Sequence, residues 1–549
     1  MAPSIVHLPN GQNITVTPVF GGLFFKPNDL LNHPRSPFPP GWTIIIHSED
    51  DVNPEQSGMS SDPDASSATE EGHIQKIRHH VHRFRKPTLQ NDHLYISSIS
   101  NPSASEFKPA ASPTRQLAMM LWATLYWYFH QTEPDLHMTT NASKDTAEHG
   151  KPKGEWKITI NREGIFKGRV VLPKLERMGL IASEDSSVGI ANEENSPEGW
   201  TNMFVSRRSF WQMDPRIYLF TLSPMPQSPY PLDSPYPSRP CSPVRGESQQ
   251  AKDSSGDQLS PGLWAPTAPG PFHSTSHLPT YFPPAPPQYT FSNHVRHPIR
   301  PKPPRQGEVF YTRFIPSVGQ YLSFRVASLS TKPPRHQGPT SLNMSSPRNS
   351  MNTIASTDSI LPTIASLNLA AAGGNAPTSS IANGPSDLEY IHKWMNEPRV
   401  SHFWGQSGPQ SHQEECLKSV LRSKNCFPVI GCWDGKPFGY FEIYWVKEDD
   451  VGRHVPGAGD YDRGFHCLVG EQEFRGPHRV KVWISALVHY CWTADLRTES
   501  VMLEPRVDNA KLRDYLVASG FYKEREISLP HKQSNLMKIR RDAWQGPAL

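Results

Sequence analysis

The stretch DYDRGFHCLVGEQEFRGPHRVKVWISALVHYCW, residues 460–492, places a histidine inside a run that reads as a strand, then a basic turn, then a helix. In the strand FHCLVG, side chains alternate between faces, so His466 points away from the face shared by Phe465 and Cys467. An ionisable ring there can handle a proton; a half-buried histidine bonded to a carbonyl gives the same pattern. In the turn EQEFRGPHRV, Arg475 supplies positive charge and Gly476 permits close backbone approach. Pro477 suits a first helical position, where no N–H is needed. A helix N-terminus with a cation beside it favours an anion such as a diphosphate, although a plain strand–turn–helix has the same letters. The helix that follows is amphipathic, with Val480, Ile484, Leu487, Val488 and Cys491 on one face. Further along, Asp508 and Asn509 in EPRVDN precede another helix, where either side chain can serve as an N-cap.

These pieces sit in a chain too long for one core. It has 549 residues, which favours two or more domains. With 57 Pro and only 36% hydrophobic residues, much of it lacks the apolar surface needed to order itself. The 55 basic and 52 acidic residues nearly balance, which argues against a nucleic-acid coat. Six cysteines without metal-site spacing read as reduced thiols of an intracellular protein. The start MAPSIVHLPNGQ lacks the basic and apolar regions of a signal peptide. The most apolar stretch, residues 117–130, is too short to span a bilayer and reads as a buried helix. The final GPAL is a poor match to a peroxisomal tripeptide. Together these give cytoplasmic as the expected location.

Five regions follow from composition. Residues 1–222 read as an N-terminal α/β domain: strands at TIIIHS and HLYISSIS, an aromatic helix from about Pro113, and a short helix VVLPKLERMGLI closed by Gly179. Residues 223–306 are a proline-rich linker, since proline at that density excludes helix and central strand. Residues 307–329 alternate aromatic and polar side chains like a strand returning to a sheet. Residues 330–384 form a second linker rich in Ser, Asn and Ala, a solvated spacer whose PxxP and Ser-Pro pairs also fit an SH3-type ligand or phosphorylation site. Residues 385–549 order as ααββ-β-α-β-α-ββ, with a hairpin turning at Asp434 and Gly435.

That order, with the pieces HFWG, GYFEIYWVKEDD, DYDRGFHCLVGEQEFRGP, EPRVDN and LPHKQSNLM, resembles the GCN5-related N-acyltransferases. More narrowly, it is similar to the acyltransferases of siderophore biosynthesis that acylate hydroxylated ornithine or lysine. The resemblance implies an α/β (α+β) acyltransferase fold in the C-terminal domain. By fold-level analogy it leaves room for a second, degenerate acyltransferase-like domain in the N-terminal half. It implies transfer of an acyl group, acetyl foremost, from acyl-CoA to the hydroxylamine nitrogen of N5-hydroxyornithine, with no metal required. The alternatives are the anhydromevalonyl donor, an unhydroxylated amine acceptor, and a non-catalytic scaffold. Partners are small molecules, with no nucleic acid and no membrane, and with room for a homodimer.

On the resemblance, His466 takes a proton as the tetrahedral intermediate forms, or holds the hydroxyl oxygen, and Asp508 is the catalytic acid. Leu468, Val469, Arg475, Gly476, Pro477, His478 and Asn509 serve the cofactor. His402, Phe403, Trp404, Glu442, Tyr444, Trp445 and Lys532 line the substrate side. Two departures stand out: Glu473 and His478 replace the usual first and last residues of the diphosphate loop, and Arg506 stands where bacterial relatives carry an acid after proline.

Overall fold

The computed structural model describes residues 2–28, 38–51, 79–100, 113–168, 170–183, 203–213, 287–336, 338–341 and 384–549. The polar stretch 184–199, which the sequence suggests as a loop inside the N-terminal domain, and most of both linkers lie outside them.

The N-terminal half contributes β1 (Ser4–His7), β2 (Asn13–Val19), β3 (Gly22–Pro27), β4 (Trp42–Asp51), β5 (His79–Arg83), β6 (Asp92–Ile99), α1 (Pro113–Tyr128), β7 (Lys157–Ile160), α2 (Val171–Arg177), β8 (Ala182–Ser183), β9 (Met203–Ser206) and α3 (Arg207–Gln212). A hairpin follows, β10 (Tyr289–Ser292) and β11 (Val295–Pro298), then β12 (Val309–Ile315) and β13 (Gln320–Val326). The C-terminal part is α4 (Asp387–Met395), α5 (Pro398–Trp404), α6 (Gln410–Arg422), β14 (Cys426–Trp433), β15 (Lys436–Trp445), β16 (Arg463–Val469), α7 (Pro477–Ala494), β17 (Ser500–Leu503), α8 (Ala510–Ala518), β18 (Tyr522–Leu529) and β19 (Lys532–Arg540).

Local chemistry fixes many boundaries. Ser386 caps α4 in a reciprocal capping box with Glu389. Asp434 and Gly435 both have positive φ, as a two-residue hairpin turn requires. From Leu117 on, α1 is buried, which accounts for the aromatic, uncharged sequence of that part.

The region 307–329 is two strands rather than one. β12 and β13 pair with each other, and β13 pairs with β14, so they extend the C-terminal sheet. The β10–β11 hairpin, within the stretch read as linker, is also ordered. Asn293 and His294 adopt positive φ in its turn. Arg300 just beyond it forms a bidentate, buried ion pair with Glu448, at 2.5 Å for each contact. Tyr289 donates to Asp460 at 2.7 Å. Composition counts prolines but does not see such long-range anchors.

The two large sheets share one topology. The C-terminal sheet runs β12-β13-β14-β15-β16-β17-β19-β18, and the N-terminal sheet runs β1-β2-β3-β4-β6-β7-β9-β8 with β5 added on β4. In each, one parallel pair (β6–β7, β16–β17) is joined by a long helix, and the last two strands swap order. They differ at the parallel pair. β17 pairs with β16 only at Arg463 and Gly464, and the strands then part. In the N-terminal half the 3-10 turn Gly164–Lys167 occupies that place. A Cβ on Gly164 would stand 2.2 Å from the Ile96 carbonyl oxygen, and Phe166 is fully buried.

The halves share one apolar core. At the seam, Trp211 of α3 meets His489 of α7 edge-on at 5.6 Å, and His489 stacks on Trp544. Gln212 donates to the Arg541 carbonyl at 2.8 Å. Among the described residues no helix is long and apolar enough to cross a membrane.

Candidate active site

Where β16 and β17 part, a cavity of about 1000 Å³ opens. β15 and β16 are antiparallel and place Glu442 directly opposite His466. The parallel register pairs Arg463 with Val501, so three residues on, Glu504 at the end of β17 comes level with His466. The imidazole is thereby held between two carboxylates. Its Nδ1 stands 3.0 Å from Glu442 Oε2, and its Nε2 2.7 Å from Glu504 Oε1. Tyr444 donates to Glu504 Oε2 at 2.8 Å, and Tyr440 donates to Glu442 Oε1 at 2.8 Å. Lys532 donates to the Glu504 carbonyl at 2.9 Å and lies 3.6 Å from its carboxylate.

These contacts decide protonation. Burial disfavours charge on His466, but attraction and hydrogen bonds from Glu504 and Glu442 outweigh it and hold the imidazole up to about 10. Burial also works against the Glu504 anion; the His466 cation, with Lys532 and Tyr444, more than offsets this and holds the carboxyl down, to about 2. At neutral pH the group is an imidazolium between two carboxylates. With both ring nitrogens donating, of the two roles expected for His466 the arrangement suits holding an oxygen better than taking a proton. The His466 side chain is 34% exposed, so it still reaches open space.

Leu468 and Val469 at the end of β16 line the same cavity, as do Arg475, Gly476 and Pro477. Past Gly464, the backbone groups of β16 that β15 does not use face the cleft, an edge able to pair with an extended amide-bearing chain. Gly476 has φ 134°, Pro477 opens α7, and no side chain caps this helix. An uncapped N-terminus next to Arg475 fits a diphosphate. Arg399, absent from the sequence reading, donates to the Val469 carbonyl at 2.7 Å and also to that of Gly470. It adds a second cation near Arg475 on the cavity wall.

Several expected residues sit elsewhere. Asp508 is at the rim, exposed and paired with Arg506 at 2.5 Å; the acid of this motif that meets His466 is Glu504. Asn509 lines the cavity, but its side chain is engaged in capping α8, accepting from the Leu512 N–H. His478 does not line the cavity; its ring folds back over Gly476. Trp445 is also outside, because Arg300 and Arg463 stack on it at 4.4 and 3.9 Å. Tyr444 is buried behind the site and acts through Glu504. Phe403 and Trp404 line the cavity, and Trp404 stands edge-on to His466 at 6.2 Å. His402 does not line it and accepts from Arg506 at 3.0 Å. Glu442 and Lys532 both line it. The signal for Glu504 lay in the motif EPRVDN, but finding it needed the β16–β17 register rather than distance from the proline.

Comparison with known proteins accords with this geometry. Residues 384–529 match the family model described as acetyltransferase (GNAT) domain. The N5-hydroxyornithine acetylase sidL of Beauveria bassiana is 47% identical over 570 residues, covering 97% of this chain and all of that protein. The chain belongs to the GNAT acetyltransferases. The likeness to that fungal acetylase runs through both halves, so the N-terminal sheet is part of this kind of acyltransferase. Two other relatives match a smaller part of the chain. The N(6)-hydroxylysine O-acetyltransferase of Escherichia coli is 44% identical, over 29% of this chain and 51% of its own length. The N(5)-hydroxyornithine:cis-anhydromevalonyl coenzyme A-N(5)-transacylase SIDF of Beauveria bassiana is 43% identical, over 28% and 34%.

Proposed function

We propose that this GNAT enzyme transfers an acetyl group from acetyl-CoA to the hydroxylamine nitrogen of N5-hydroxyornithine, a step of hydroxamate siderophore synthesis. The observation that carries the reading is the charged Glu442–His466–Glu504 array at the base of an open strand cleft, in a chain similar end to end to a hydroxyornithine acetylase.

The hydroxylamine nitrogen is far less basic than an amine, because oxygen withdraws electrons, so much of it is neutral and nucleophilic at physiological pH. Catalysis then rests on positioning and on removing one proton. As the new N–C bond forms and the C–S bond breaks, that proton must leave nitrogen and finally reach the departing sulfur. His466, donating through both ring nitrogens, has no lone pair for it. The acceptor atoms facing the cavity are carboxylate oxygens of Glu442 and Glu504. One imidazolium and two carboxylates carry a net charge of −1, which the transferred proton neutralises. His466 keeps Glu504 ionised and both acids aimed.

The substrate is an amino acid, and Lys532 and Arg506 offer cations for its carboxylate while Asp508 offers an anion for its ammonium group. Leu468, Val469, Arg399, Arg475 and the start of α7 hold the donor substrate. The matching strand order supports reading the N-terminal half as a degenerate copy. Counted from the first residues of each parallel ladder, Glu442, His466 and Glu504 correspond to Ile45, Tyr95 and Asn161, and the cleft there is filled.

Turnover of hydroxyornithine with acetyl-CoA and with anhydromevalonyl-CoA tests the proposal. The acetyl hydroxamate is expected; product only from the bulkier thioester would reassign the donor, and none from either would remove the reading. Equal rates with ornithine would make the hydroxyl irrelevant and favour an amine acceptor.

A further inference from the structure

One chemically capable cluster lies outside the catalytic cleft, on the N-terminal sheet. β4 presents His47 and Glu49 on one face, two residues apart, and β6 presents His93 directly opposite His47. The two imidazoles stack at 5.2 Å with 9° between their planes. His47 Nε2 lies 3.1 Å from Glu49 Oε1, and His93 Nε2 lies 3.6 Å from Glu49 Oε2. One ligand atom from each residue lies within 4.8 Å of the others. The side chains are 16, 27 and 20% exposed, which shields them while leaving access for an ion.

The partner of the far nitrogen is informative. His93 Nδ1 stands 3.0 Å from Asn161 Oδ1, so an amide holds the far side of the ring while Nε2 is turned to the Glu49 carboxylate. A carbonyl oxygen behind one ring nitrogen, with the other nitrogen free, is the arrangement that orients a metal-binding histidine.

We propose that His47, Glu49 and His93 bind one zinc ion, with Asn161 as the positioning residue. Two imidazoles and a carboxylate are a zinc ligand set that leaves a fourth place for water. Zinc bonds of about 2 Å set tetrahedral ligand atoms about 3.3 Å apart, close to the 3.1 and 3.6 Å that separate the two imidazoles from Glu49. The ion ties β4 to β6 in the half that holds no open acyl-CoA cleft. It is independent of the acyl transfer.

The test is equilibrium dialysis of the metal-stripped full-length protein against micromolar zinc, with metal analysis, and a cobalt titration followed by visible absorption. The wild type is expected to retain one equivalent and to show a cobalt band. The double variant His47→Ala/His93→Ala should lose both, while still binding coenzyme A as evidence of folding. Glu49→Gln should weaken zinc at least ten-fold. Asp135→Asn/His137→Ala, at an exposed cluster of similar composition, should keep the equivalent. No retained zinc in the wild type, or equal retention in the double variant, would overturn the site. If the double variant does not fold, Glu49→Gln decides: unchanged zinc affinity and an unchanged cobalt band would also overturn it.

Discussion

Glu504→Gln separates the charged array from an ordinary hydrogen-bonded histidine. The substitution keeps side-chain volume and an oxygen to accept from Tyr444, but removes the charge that faces His466 at 2.7 Å. The Glu504 side chain is only 2% exposed, and its carboxyl is held down from 4.5 to about 2. At about 1.4 kcal/mol per unit, that is about 3 kcal/mol of stability at neutral pH. The sign is that of a depressed acid: the contribution is present above pH 4.5 and is lost as pH falls through about 2. The upward shift of His466 is the same attraction seen from the other partner, so it is counted once. In the variant, His466 should titrate about one to three units lower. The rate constant kcat should fall about 10²–10⁴-fold, as on loss of a proton-transfer group. The assay is a 15N-resolved NMR titration of His466 in both proteins, with kcat against pH and urea unfolding alongside. A wild-type His466 that is neutral at pH 7, or one that titrates identically in the variant, would refute the charged array.

Four further outcomes follow. Asp508→Asn should change kcat less than about 3-fold and raise KM for hydroxyornithine instead, since its carboxylate is solvated, paired with Arg506 and offered to the substrate ammonium rather than to the reacting nitrogen; a kcat loss like that of Glu504→Gln would restore it as the catalytic acid. Gly464→Ala should destabilise by about 1–3 kcal/mol and lower kcat, because its Cβ would stand 2.2 Å from the Tyr444 ring that holds Glu504; chemical unfolding and steady-state rates measure both. Breaking the buried Arg325–Asp387 pair with Asp387→Ala should cost about 3–5 kcal/mol in the same unfolding assay. Burial pushes His130 and His489 down to about 3, so the unfolded chain binds more protons between pH 6.5 and 3; stability should fall as pH drops through that window, and His489→Gln should flatten the thermal-melt profile there.

The order of the C-terminal elements could be read because each announced itself locally: alternating strands, Asp434-Gly435 at the hairpin, Pro477 at a helix start, Ser386 with Glu389 at another. His466 was legible as the odd residue in an apolar strand. Its partners were not equally so. Glu442 needed an antiparallel register and Glu504 a parallel one, and no spacing in the chain encodes which carboxylate a register brings level with an imidazole. Arg399 arrives from α5, some seventy residues before the carbonyls it binds, with no local signature at all. Trp445 looked like a cavity wall until two guanidinium groups occupied its faces. The duplicated topology was invisible for a related reason: strand order is a property of pairing, and the two halves share it without sharing motifs.

The seam of Trp211, His489 and Trp544 makes the filled half more than a passenger. α7 starts at the cavity wall, and its His489 packs on the other half, so damage to the N-terminal sheet lowers the population of intact enzyme without touching the chemistry. Inherited variants there should appear as reduced abundance in the cell, with each surviving molecule turning over at its normal speed.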